Sequence, residues 1–113
     1  MKRFQLSNPI WEKTIDLLFD GFLEFNSFQG HQAKTLIKEF KEDGGFLALW
    51  MLKAMAPTAS QITRQGYFET ARLFLGLLEL HLQIANGLGL LRKGEFRALS
   101  GKSRRLDRLL AGT

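Results

Sequence analysis

Seven basic side chains crowd the last quarter of this chain: Arg92, Lys93, Arg97, Lys102, Arg104, Arg105 and Arg108, opposed there only by Glu95 and Asp107. Residues 1–91 balance nine basic against nine acidic side chains, so residues 92–113 supply the whole formal charge of +5. The chemistry open to such a segment is anion recognition. A guanidinium donates two parallel hydrogen bonds to a phosphate or carboxylate, and a field of one sign draws polyanions or an acidic protein face. At about 100° per residue, Arg97, Arg104 and Arg108 share a narrow helical sector, with Arg105 and Lys102 turning progressively away. Phe96, Leu99, Ser103, Leu106 and Leu110 take the far side. No base-reading motif or interleaved aromatic accompanies the arginines, so a nucleic acid held here is held by backbone and shape. The plainer alternative is a solvated face whose cations also favour a helix C-terminus.

A second charge pattern lies near the start. Glu12, Asp16, Asp20 and Glu24 recur every fourth residue, an acidic ladder whose like charges repel along one helix face. It is either solvated or compensated, and one compensation is the basic last helix of a neighbouring chain. A dimetal reading of the ladder requires Glu-x-x-His pairs, but His81 follows Glu79 by two residues and His31 follows Glu24 by seven. Catalytic patterns are missing as well. There is no cysteine, no Gly-x-Ser-x-Gly and no glycine-rich loop leading into Lys-Ser or Lys-Thr. His81, set among leucines, reads as a packed or hydrogen-bonded histidine. Phe19, Phe22, Phe25 and Phe28 read as core at helical intervals. The residues therefore point to a binding protein, not an enzyme, with no catalytic residue, metal ligand or cofactor site.

The elements that must carry these groups follow from periodicity. Asn8 before Pro9 is an N-cap with proline at the first helical position, and Trp11, Ile15, Leu18, Phe22 and Phe25 then recur at helical spacing over residues 9–25. Ala33, Leu36, Ile37 and Phe40 mark a short helix that Gly44-Gly45 should stop. Residues 46–56 are apolar on nearly every side and lack β-branched residues, which predicts a buried helix ended or kinked by Pro57, with room to continue to Ile62. Residues 67–88 predict the longest and most central helix. Its polar strip is narrow (Arg72, Gly76, Glu79, Gln83, Asn86), so it needs apolar partners on most of its circumference, either within a monomer or between subunits. Gly94 precedes the last helix. No strand pattern competes. The predicted fold is all-α: one up-down four-helix bundle over residues 1–113, with an extra short helix between helices one and two.

Composition agrees with a single globular domain, at 45% hydrophobic and 24% charged residues over 113 positions. The absence of cysteine fits a reducing cytoplasm. Met1-Lys2-Arg3-Phe4-Gln5 is basic but leads into no apolar stretch, which argues against a signal peptide. The longest apolar run, residues 46–52, falls far short of the ~20 residues that span a bilayer. The last helix lacks the interfacial tryptophan of a membrane-surface anchor, and its apolar side suits bundle packing.

Within the long helix, Glu79, Leu82, Ile84-Ala85 and Leu88-Gly89 stand at the spacing of a shared family pattern. The stretch 71–91 resembles the third helix of the four-helix-bundle family that includes the 23S ribosomal RNA intervening-sequence proteins. The tail Leu106-Asp107-Arg108-Leu109-Leu110-Ala111-Gly112 is similar to that family's closing helix. Trp11-Glu12-Lys13 resembles its N-terminal tryptophan segment, and residues 53–62 its kinked second helix. The chain departs from it where Gln61-Ile62-Thr63-Arg64-Gln65 replaces an Asn-Ile-Ala-Glu-Gly motif. A sister branch, the accessory variability determinant proteins of diversity-generating retroelements, is similar over the same two C-terminal helices. That resemblance implies a basic homo-oligomer, a pentameric barrel, that binds RNA or other nucleic acid and a reverse transcriptase. It covers about half the chain and rests largely on leucine spacing.

Overall fold

The computed structural model describes residues 8–113, so the N-terminal pentapeptide discussed above lies outside the described residues. Four helices follow in order: α1 (Pro9–Asn26), α2 (Ala33–Ala54), α3 (Gln61–Gly87) and α4 (Lys93–Ala111). Helix α1 packs on α2, α2 on α3, α3 on α4, and α4 closes the ring against α1. Short connections between successive helices make neighbours antiparallel, and the result is an all-α four-helix bundle.

Local signals account for most boundaries. The Asn8 side chain accepts from the Ile10 backbone N–H at 2.8 Å, satisfying one of the free donors that begin α1. Ser60 does the same for Thr63 at the start of α3. Gly30 (φ 105°) lies in the turn before α2, and Gly89 (φ 75°) in the turn after α3, where a side chain would be strained.

Three expectations are corrected. First, Gly44-Gly45 does not stop a helix, and the predicted extra short helix does not exist as a separate element. The segment runs unbroken into residues 46–54 as α2. A Cβ on Gly44 would stand 3.0 Å from Leu18 Cδ2 and from the Phe22 ring, so this glycine lets α1 approach α2 closely. Second, α2 ends at Ala54 and does not reach Ile62. Arg64, from the first turn of α3, reaches back to the carbonyls of Ala54 (2.8 Å), Ala59 (3.2 Å) and Ala56 (3.4 Å), tying down the connection around Pro57. Third, α3 begins six residues earlier than its apolar pattern, because Ser60 caps a polar first turn.

The core gathers Leu17, Leu18 and Phe25 of α1, Leu36, Phe40, Leu47 and Met51 of α2, Phe68, Leu75, Leu78 and Leu82 of α3, and Leu99, Leu106 and Leu110 of α4. Phe25 stacks on Phe40 at 3.8 Å between ring centroids, and Phe28 tilts against Phe25 at 4.6 Å. Phe19, read as core, is instead 65% exposed. It shares its turn with Leu17 and Leu18, which take the inward sector. Helix α2 is likewise buried on one side only, leaving Phe46, Leu49 and Leu52 partly in solvent. No helix among the described residues is long and apolar enough to cross a membrane.

Candidate nucleic-acid interface

Helix α4 is positioned by its inward row. Leu99, Ser103, Leu106 and Leu110 are buried against α1 and α3, which turns the opposite sector outward. Lys93, Arg97, Arg104, Arg105 and Arg108 are all exposed on that side. At 1.5 Å per residue, the row from Lys93 to Arg108 extends about 22 Å, roughly six to seven steps of one strand of a duplex. Gly94, Ala98 and Gly101 lie beside the cations, so the surface between them is low. The Arg105 guanidinium folds back toward Gly101, its Nη1 3.3 Å from where a Cβ would stand.

Acids close to this face are already engaged. Asp107 accepts from Arg72 of α3 at 2.9 Å and 3.4 Å, and this hydrogen bond raises the Arg72 pKa further above its ordinary value. Glu79 Oε1 accepts from Ser100 Oγ at 2.6 Å, while Arg104 sits a looser 3.7 Å away, so most of its guanidinium stays in water. Among the described residues no acidic side chain pairs with Lys93, Arg97, Arg105 or Arg108. Arg104 and Arg108 also line a groove of about 330 Å3 between α3 and α4, with Gly76, Glu79 and Ser103 along its floor and sides. A chain of phosphates laid along α4 would meet guanidinium donors in succession.

Two of the seven sequence-predicted cations have other work. Arg92, at the N-cap of α4, pairs with Glu95 at 3.3 Å. Lys102 turns away from the row and bridges Asp16 (2.8 Å) and Asp20 on α1. These hydrogen bonds, Asp16 first and then Asp20, raise the Lys102 pKa despite a partial opposing effect of burial. The acidic ladder thus finds a compensating charge on the last helix of its own chain, where a neighbouring chain had been one expected source. Sequence reasoning missed this lysine's role because nothing in α1 or α4 alone states that the two lie side by side.

The histidine reading holds. His81 Nε2 donates to Asp43 Oδ2 at 2.7 Å in a largely buried pair that links α2 to α3. The other ring nitrogen, Nδ1, is buried without a hydrogen-bond partner. Among the described residues no group of three or more His, Asp or Glu side chains could hold a metal ion.

A second outward surface belongs to α3. Leu73 (70%), Leu77 (40%), Leu80 (48%), Ile84 (41%) and Leu88 (52%) are exposed directly opposite the helix's buried row of Ala71, Leu75, Leu78, Leu82 and Ala85. The narrow polar strip expected from sequence falls toward α4, with Arg72 already paired across it. Helix α3 therefore has two apolar sides and packs only one of them within this chain. No family model, no curated protein and no solved structure matches the chain.

Proposed function

We propose that this protein is a non-catalytic, self-associating accessory bundle whose α4 face holds the backbone of RNA or another nucleic acid, alone or within a ribonucleoprotein that includes a reverse transcriptase. The observation that carries the reading is the exposed row Lys93, Arg97, Arg104, Arg105 and Arg108, where Asp107 is held by Arg72 and only Arg104 has an acid nearby, Glu79 at 3.7 Å. Each phosphate docked there gains charge-assisted hydrogen bonds and releases condensed counterions, so affinity falls steeply with salt. Sequence preference is absent because no side chain on this face is placed to read base edges.

The test replaces Arg97, Arg104, Arg105 and Arg108 together by alanine. Titration of single-stranded RNA over a salt series should show tight, salt-sensitive binding by the natural chain. Four lost phosphate contacts reduce the slope of log K against log salt by about 3 and cost a hundredfold or more at low salt. The variant keeps its helicity and its mass, since all four side chains are exposed. The rival reading is a structural scaffold without nucleic acid, and the outward apolar row of α3 is what favours it. Under that reading neither the natural chain nor the arginine variant shows salt-sensitive RNA binding.

A further inference from the structure

We infer that the outward row of α3 is the contact between two copies of this chain, paired antiparallel about a two-fold axis that passes between Leu77 and Leu80. The inference deepens the self-associating half of the proposed function and makes no use of the nucleic-acid half.

Leu73, Leu77, Leu80 and Ile84 are separated by four, three and four residues, which is the seam of a coiled-coil-like contact. That order reads the same from either end. A two-fold axis at its midpoint sets Leu73 opposite the partner's Ile84 and Leu77 opposite the partner's Leu80, so the surface complements itself, as an isologous contact requires. A partner of different sequence has no need of such symmetry.

The amount of surface is right for one such contact. Taking a fully exposed Leu, Ile or Phe as roughly 200 Å2, Leu73, Leu77, Leu80 and Ile84 of α3, with Leu88 just past its end, expose on the order of 500 Å2 of apolar surface per copy. Phe46 of α2, stacked on Phe74 of α3 at 5.2 Å, adds to its edge. A standard interface buries roughly 800 Å2 per partner, of which some 500 Å2 is apolar in homodimers.

Charge selects the occupant. From Leu73 to Leu88 the outward sector carries no ionised side chain, and Arg72 at its border is neutralised by Asp107. Two copies with a net charge of +5 each can meet here without like charges opposed, and their α4 cations stay clear of the seam. An acidic partner would be drawn to α4 and gain nothing on α3.

Sedimentation equilibrium in nucleic-acid-free buffer tests the number of copies. The natural chain should sediment at twice 12.9 kDa, about 26 kDa. The double variant Leu77→Glu, Leu80→Glu should sediment as a single chain with unchanged helicity. Any mass for the natural chain other than two copies, five included, overturns the pairing. Direction is tested by crosslinking, which the absence of cysteine makes clean. A Leu73→Cys chain mixed with an Ile84→Cys chain should form the mixed disulfide in air. Each alone should stay unlinked, because antiparallel pairing holds identical positions about 16 Å apart along the axis. A disulfide formed by Ile84→Cys alone overturns the antiparallel arrangement. RNA enters neither measurement, so this pairing and the nucleic-acid reading fail independently.

Discussion

Helices α3 and α4 solve the same inward problem in the same way and differ entirely outside. Each buries one row of leucines and small residues against the other helices. Outward, α3 presents Leu73, Leu77, Leu80 and Ile84, whereas α4 presents Lys93, Arg97, Arg104, Arg105 and Arg108. The core does not dictate either outer face, since a solvated mixture of charges would serve the fold as well. What each face carries beyond that is therefore a statement about contacts outside the single chain. One is apolar and without charge, the kind of surface a second copy would complement. The other is cationic and fits an anion.

Truncating neighbouring leucines on opposite sides of α3 gives the largest expected contrast in stability. Leu82 is fully buried and Leu80 is 48% exposed. Leu82→Ala should cost about 2–5 kcal/mol in urea unfolding, through lost transfer energy and the cavity left behind. Leu80→Ala, measured at dilution where the chain is monomeric, should stay within about 0.5 kcal/mol of the natural protein. Equal losses at both positions would mean that α3 has no outward face.

A glycine pair follows at smaller amplitude. A Cβ on Gly21 would stand 2.6 Å from Phe40 Cζ, and that ring is held by its stack on Phe25. Overpacking of this kind costs about 1–3 kcal/mol, more than the helix propensity that alanine restores. Gly21→Ala should lower the midpoint of unfolding. Gly76→Ala, with open space around the new methyl, should raise the stability of the dilute chain by up to about 1 kcal/mol.

How far these features can be read in advance depends on whether one helix suffices. Asn8-Pro9 announces the start of α1 because an N-cap is a local event, and the shared sector of Arg97, Arg104 and Arg108 follows from rotation about a single axis. Gly44 misleads because glycine both ends helices and admits close neighbours, and only the position of Leu18 and Phe22 on α1 decides between the two. The polar first turn of α3 hides its start, since Gln61, Thr63 and Gln65 carry no apolar rhythm and Ser60 alone marks the cap. Phe19 looks like core by interval and is not, because Phe19, Phe22 and Phe25 at successive three-residue steps drift round α1 faster than one buried stripe can follow.

Lys102 gives the smallest and most specific test, because it lies on α4 yet belongs to the fold more than to the cationic row. Its ammonium bridges Asp16 and Asp20, and those partners raise its pKa above the ordinary 10.5. A raised folded-state pKa means that the bridge stabilises fully below the unfolded value and is lost as pH climbs through the folded one. The natural chain should therefore exceed Lys102→Gln by a constant margin from neutral pH to about pH 10, no more than about 1 kcal/mol given how exposed the aspartates are. Above that the two curves should converge, since a neutral lysine leaves Asp16 and Asp20 to repel each other just as glutamine does. Arg72, paired to Asp107, contributes no such limb because it stays charged throughout. RNA affinity of Lys102→Gln should drop far less than that of the four-arginine variant. A comparable drop would return this lysine to the outer face and require the bridge to α1 to open on binding.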